Sequence, residues 1–195
     1  MTDPSPARVA PIDVKPIDVT VTFLEMSVPL AHYPPLPFNR NVVLLRAKDA
    51  PNHYYRYLID RIGRKWNWVN ALRQSDEEMS KKLAEPGRDV YVLHIDGVPG
   101  GMFEIAPHEE GTVELVYFGM MAHAMGHGIG RWFLGAALQH AWSRNPTAVR
   151  VQTCTLDHPA ALPLYQKLGF DPVGQVSETV YPMTAQERAQ SVMRE

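Results

Sequence analysis

The sequence predicts a mixed α/β fold of the α+β kind: a mainly antiparallel central sheet flanked by helices, with one βαβ unit in it. Three observations carry this. Two apolar runs, 90–95 and 101–106, are joined through Asp96-Gly97, the dipeptide that most easily supplies the positive φ angles of a tight hairpin. A third run, TVELVYFGMM at 112–121, is largely apolar on both alternating faces, the pattern of a central strand covered on both sides. A helical pattern at 128–145 and another branched run at 148–155 follow, and strand, crossover helix and strand imply parallel pairing in a right-handed unit.

The elements follow in order along the chain. Eight of the 17 prolines fall within residues 1–40, so this stretch reads as an extended or irregular arm with one strand, at 19–26. The run 41–47 is a strand, and Pro51 opens a helix that continues to Ile62 and ends at Gly63. Ser75 followed three residues later by Glu78 is a capping box, starting a second helix that stops before Pro86-Gly87. Past the hairpin and the central strand, Leu134, Leu138 and Ala141 recur at helical spacing within 128–145, which packs that helix on the sheet. The strand at 148–155 leads into a helix at 159–168 that Gly169 terminates. The organisation expected is an arm at 1–40, one domain at 41–183 and a tail at 184–195.

A chain of 195 residues that is 45% hydrophobic and 21% charged suits one compact domain. With 19 Lys+Arg against 21 Asp+Glu the net charge is −2, without the positive excess that binding a phosphate backbone requires, so no nucleic acid partner is expected. Cys154 is the only cysteine, which excludes an internal disulfide and a thiolate zinc cluster. The first twenty residues hold no apolar secretory stretch, and the longest uncharged run, 115–130, is shorter than a bilayer span. A cytoplasmic protein with no membrane segment is expected.

The turn from Met125 through Gly126, His127, Gly128 and Ile129 to Gly130 lies between the central strand and the long helix. Glycines let bare backbone approach a ligand, and the unpaired amides of a helix's first turn point toward an anion such as a diphosphate. The simpler alternative is that they only turn the chain. No Gly-Lys-Ser/Thr follows, and the turn comes too late to open a dinucleotide fold. The closing helix ends in LYQKLGF at 164–170. With these features the segment 112–170 resembles the acetyl-CoA-binding core of the GNAT acetyltransferase superfamily: a central strand, an R/Q-x-x-G-x-G/A turn onto a helix, a strand, and Leu-Tyr-x-x-x-Gly-Phe. The elements from residue 41 onward fit the same pattern, with the proline-rich arm outside it.

The resemblance implies an N-acetyltransferase that uses acetyl-CoA as cosubstrate, without a metal, and passes the acetyl group to the amine of a small molecule or peptide. It implies that backbone groups of Phe118, Gly119 and Met120 hold the pantetheine arm, and that Met125, Gly126, His127, Gly128, Ile129 and Gly130, with Arg131 beside them, cradle the diphosphate. Two positions depart from the family pattern: Met125 stands where Arg or Gln is usual, and His158 where many members have Asn. Glu114 matches a general-base glutamate of the histone-acetylating branch and, by strict alternation, shares a face with Phe118. Glu104 is its rival, and a surface or salt-bridged glutamate is the plain alternative. Tyr165 matches the tyrosine that protonates the departing thiolate, or else is only a packed aromatic.

Other groups admit two readings each. His123 and His127 are four apart, but no Glu follows the first and glycines flank the second, so no metal is expected there. Cys154, Asp157 and His158 compose a thiol-nucleophile set or, more simply, a buried thiol. Tyr54, Tyr55, Tyr57, Trp66 and Trp68 with Arg61, Arg64 and Lys65 either hold an aromatic or acidic acceptor or pack a core with solvated charges. The alternatives to the transferase are a catalytically silent acyl-CoA-binding module and a Cys154-dependent acyl hydrolase that uses His158. The oligomeric state is open, a homodimer included.

Overall fold

The structure, a computed structural model, describes residues 14–37 and 41–194. The start of the expected arm, residues 1–13, lies outside the described residues. Seven strands pair into one sheet: β1 (Ile17–Met26), β2 (Val42–Arg46), β3 (Asp89–Ile95), β4 (Val98–Pro107), β5 (Val113–Met120), β6 (Val149–Cys154) and β7 (Asp171–Val180). The helices are α1 (Asn52–Gly63), α2 (Asn70–Arg73), α3 (Asp76–Leu83), α4 (Ile129–Trp142), α5 (Ala161–Lys167) and α6 (Ala185–Val192). The spatial strand order is β2-β3-β4-β5-β6-β1-β7, which puts β5 at the centre. Only β5 and β6 pair in parallel, joined by the crossover helix α4, and every other neighbouring pair is antiparallel.

Local chemistry explains most of these elements. Asp96 and Gly97 both take positive φ, 51° and 88°, as the tight β3–β4 hairpin demands. The capping box at Ser75 and Glu78 starts α3. A second one, Thr184 with Glu187, starts α6 within what the sequence suggested was a tail. The strand of the arm is β1, which lies inside the sheet, pairing Val21 with Cys154 of β6 and Ile17 with Val180 of β7. β7 is the edge strand that admits Pro172. Among the described residues no helix is long and apolar enough to cross a membrane.

Each face of the sheet has its own core. On one, Phe133, Leu134 and Leu138 of α4 pack with Leu24, Phe103, Leu115 and Val151. On the other, Tyr55, Leu58 and Ile59 of α1 and Met79 of α3 pack with Val90, Val92 and Met102. β5 changes faces partway along: Glu104 of β4 is opposite Tyr117, but Ile105 is opposite Leu115, so Val116 is an extra residue, a β-bulge. Leu115 and Phe118 therefore both pack on the α4 side, while Tyr117 packs on the α1 side. Glu114, next to Leu115, belongs to the α1 side with Tyr117, and its charge is felt by Lys82 of α3. Strict alternation put Glu114 on the face of Phe118; the bulge overturns that.

The α1 side also buries charge. Asp60 is 1% exposed and is bonded by Arg64 and, at 3.1 Å, by Arg188 of α6. The Ser191 hydroxyl of α6 donates to the Leu72 carbonyl. α6 is thus fastened by partners that would be left desolvated without it. Arg188→Met should lower stability by about 1–3 kcal/mol, because Asp60 loses one of its two charged donors. Thermal unfolding should read this as a midpoint several degrees lower, and an unchanged midpoint would show that α6 is not held through Asp60.

Candidate active site

The parallel pairing of β5 and β6 spans only Val113–Leu115 against Val149–Val151. Beyond it β5 stays with β4 as far as the Gly101–Met120 pair, while β6 stays with β1 as far as the Val21–Cys154 pair. The two strands part, and a cleft of about 620 Å³ opens between them. Residues 116–120 of β5 and 152–154 of β6 line it, with the glycine turn and α5 on one side of the sheet and residues 66–70 on the other. Strand backbone that points across this gap has no strand to pair with.

The glycine turn has the conformation its composition suggests. Gly126 and Gly128 have φ of 80° and 75°, and Gly128 is the N-cap of α4 without a side chain to cap it. Nothing lies within 4 Å of where a Cβ would be at either glycine, so conformation alone selects them. Phe118, Gly119, Met120, Met125, Gly126, Gly128, Ile129 and Gly130 all line the cleft, whereas the exposed His127 and Arg131 stand outside its lining. Among the described residues of the lining there is no lysine or arginine. An anion in this turn therefore meets backbone amides and the α4 dipole rather than a cationic wall.

Tyr165 of α5 lines the cleft and is buried, edge-on to Phe118 at 6.3 Å and to Phe170 at 5.8 Å between ring centroids. Burial first, and the charge of Asp157 second, push its phenol well up, so it keeps its proton. Glu114 is half-buried and outside the lining. Its rival Glu104 is fully buried and also outside, gripped by the Tyr55 hydroxyl and Arg88, with the Lys82 ammonium 3.9 Å away. That network holds the β4 side of the bulge.

Asp157, which the sequence offers only within a thiol-nucleophile set, accepts from three donors in the cleft. Its Oδ2 accepts from the Cys154 amide at 2.9 Å and the Thr153 hydroxyl at 2.8 Å, and its Oδ1 from the Trp68 indole at 3.4 Å. Cys154 lines the cleft too, but burial first and Asp157 second push its thiol up, away from the reactive thiolate. His158 accepts from the Ala160 amide through Nδ1 at 3.0 Å and meets the Trp66 ring edge-on at 5.2 Å.

His123 lies in a 3-10 turn at Ala122–Ala124, and α4 begins only at Ile129, so His123 and His127 share no helical face. The aromatic set divides. Tyr55 is core, Tyr54 stacks on Tyr57, Arg64 serves Asp60, and only Trp66 and Trp68 reach the cleft. They reach it through Asn67, whose left-handed φ of 56° turns the chain between them.

The family model of the Acetyltransferase (GNAT) family matches residues 51–170. No curated protein matches the chain in sequence. Among solved structures, a GCN5-related N-acetyltransferase from Sphaerobacter thermophilus superposes with a TM-score of 0.59 at 14% identity, covering 88% of this chain and 54% of its own. A tandem GNAT protein from the clavulanic acid biosynthesis pathway gives 0.56 at 16%, covering 88% and 55%. An aminoglycoside acetyltransferase from an uncultured soil metagenomic sample gives 0.52 at 16%, covering 66% and 91%. These likenesses are of fold, and the chain spans little more than half the length of the first two.

The cleft's geometry depends on a close approach at Gly119, where a Cβ would overlap Ile62 and come within 2.8 Å of the Trp68 ring. Gly119→Ala should cost about 1–3 kcal/mol through overpacking, read as a lowered unfolding midpoint. Unchanged stability would mean that β5 is not pressed against α1 there.

Proposed function

Because the chain belongs to the GNAT acetyltransferase family, we propose that it transfers the acetyl group of acetyl-CoA to an amine by direct attack, without a covalent enzyme intermediate. The observation that carries this reading is the parting of β5 from β6 beside the glycine turn. Unpaired backbone of residues 118–120 would pair with the amides of the pantetheine arm as an added strand. The amides of 126–131 would hold the diphosphate, with Met125 contributing no charge.

The amine nitrogen attacks the thioester carbonyl carbon, a C–N bond forms, and the C–S bond breaks with its electron pair going to sulfur. Sulfur takes the Tyr165 proton, and the proton lost from nitrogen restores the phenol through solvent. A lysine-type amine with a pKa near ~10.4 must shed a proton before it attacks, and Glu114, outside the lining, acts on that step through water. Positioning of the two reactants supplies most of the acceleration. The hydrolase reading is disfavoured by the upward shift of the Cys154 thiol, so Cys154→Ala should retain turnover; its complete loss in a folded protein would favour the thiol nucleophile.

Acetyl-CoA at a hundredfold excess over its dissociation constant should stabilise the protein by about 2.7 kcal/mol, raising the unfolding midpoint by roughly 5–10 °C. No shift at millimolar acetyl-CoA would refute the reading. Tyr165→Phe should lower turnover by roughly ten- to a thousandfold and leave that stabilisation intact, which separates a transferase from a silent binding module. Glu114→Gln should act in the same direction and by less, because its carboxylate does not touch the reactants. The Tyr165 phenol is needed protonated and stays so beyond its ordinary value, so turnover should rise with amine deprotonation and show no falling limb between about pH 8 and 10. A falling limb in that window that disappears in Tyr165→Phe would contradict the environment described for this residue.

A further inference from the structure

Resting on the transferase reading, we infer that the acceptor is a cationic amine on an apolar or aromatic frame, anchored by the Asp157 carboxylate against a wall of Trp66, Trp68 and Tyr117. The residues expected to hold the donor gather at the glycine turn, so the acceptor's side of the cleft is that of residues 66–70, Tyr117 and Asp157. Among the described residues of the lining, the two carboxylates are Asp157 and Glu178, and no lysine or arginine opposes them. An ammonium entering here meets attraction, while a carboxylate or phosphate on the acceptor meets like charge with no lysine or arginine in the lining to offset it.

The walls suit the same ligand. Trp68 lies against Tyr117 with centroids 5.0 Å apart, and the Trp66 ring meets His158 edge-on at 5.2 Å. Aromatic faces bind both apolar carbon and the positive end of an amine. Asp157 is held ready for the second task. Two short bonds engage Oδ2, whereas Oδ1, among the described residues, takes the longer 3.4 Å bond from the Trp68 indole and retains acceptor capacity. Its charge is felt at both Tyr165 and Cys154, which places it next to the reacting centre. The plain alternative is that Asp157 only ties the turn after β6.

Phenethylamine and phenylalanine share a frame and differ by one carboxylate, and phenylalaninamide restores neutrality at that position. With acetyl-CoA, kcat/KM followed by thiol release should favour phenethylamine over phenylalanine at least about tenfold, with the amide recovering most of the loss. Calorimetric titration of the three into protein saturated with CoA should give the same order of affinity. Asp157→Asn keeps an oxygen for the Thr153 and Cys154 donors. It should raise the KM for phenethylamine about tenfold or more, shrink its advantage over phenylalanine to below about threefold, and leave stabilisation by acetyl-CoA unchanged. A role confined to the turn would weaken all three compounds alike and leave the ratio as it was, overturning the inference. So would a preference for phenylalanine, or binding of none of the three by the CoA-saturated protein. Each of those results leaves the transferase reading standing if acetyl-CoA itself binds; failure of acetyl-CoA to bind removes both.

Discussion

The parting of β5 and β6 after three paired residues is the constraint on which the rest of the molecule turns. A parallel pair that continued would close the sheet and leave no cleft. Two local features accompany the departure. The extra residue at Val116 re-aims β5, and the bare backbone at Gly119 lets it press against Ile62 and Trp68 of the α1 side. β6 meanwhile follows β1, its antiparallel neighbour, up to Cys154. The consequence is backbone with unused hydrogen-bonding capacity inside a largely apolar cleft, a state that water satisfies poorly and a ligand with its own amide groups satisfies well.

The α1 side supports that geometry with buried charge. Glu104 sits where the β4–β5 register shifts, and Tyr55, Arg88 and Lys82 converge on it from α1, the loop before β3, and α3. Burying a carboxylate so completely is tolerable only because donors surround it, and removing one of them would leave the buried charge less fully compensated. This is why Glu104, a reasonable base by its position in the sequence, is better understood as what fixes the bulge and hence the direction of Tyr117 and Phe118. Glu114, one bulge away, faces the same side and lies outside the cleft lining.

Elements governed by local chemistry were legible in the sequence: the Asp96-Gly97 hairpin, the capping box of α3, the glycine turn onto α4, the closing helix with Tyr165. What long-range pairing decides was not. β1 reads as a strand, but nothing in its residues says that it slots between β6 and β7, more than a hundred residues later. β7 hid behind Pro172 and Gly174, which argue against a strand unless it is at an edge. Among the residues that line the cleft, the glycines and Tyr165 stand out in the sequence by type and spacing. The face of Glu114 could not be read there, because a bulge inserted by tertiary packing reverses the alternation on which the expectation rested. Nor could the bonding of Asp157 within the cleft, which depends on Trp68 reaching it across 89 positions of sequence.

The most direct test of the account is amide hydrogen exchange along β5 and the glycine turn with and without acetyl-CoA. The amides of residues 116–120 that do not face β4, and those of Gly126 and residues 128–131, should exchange quickly in the free protein and become protected when the donor binds. Protection confined to other segments, with these amides unchanged in the presence of bound acetyl-CoA, would contradict the claim that the parted strand and the turn are what hold it.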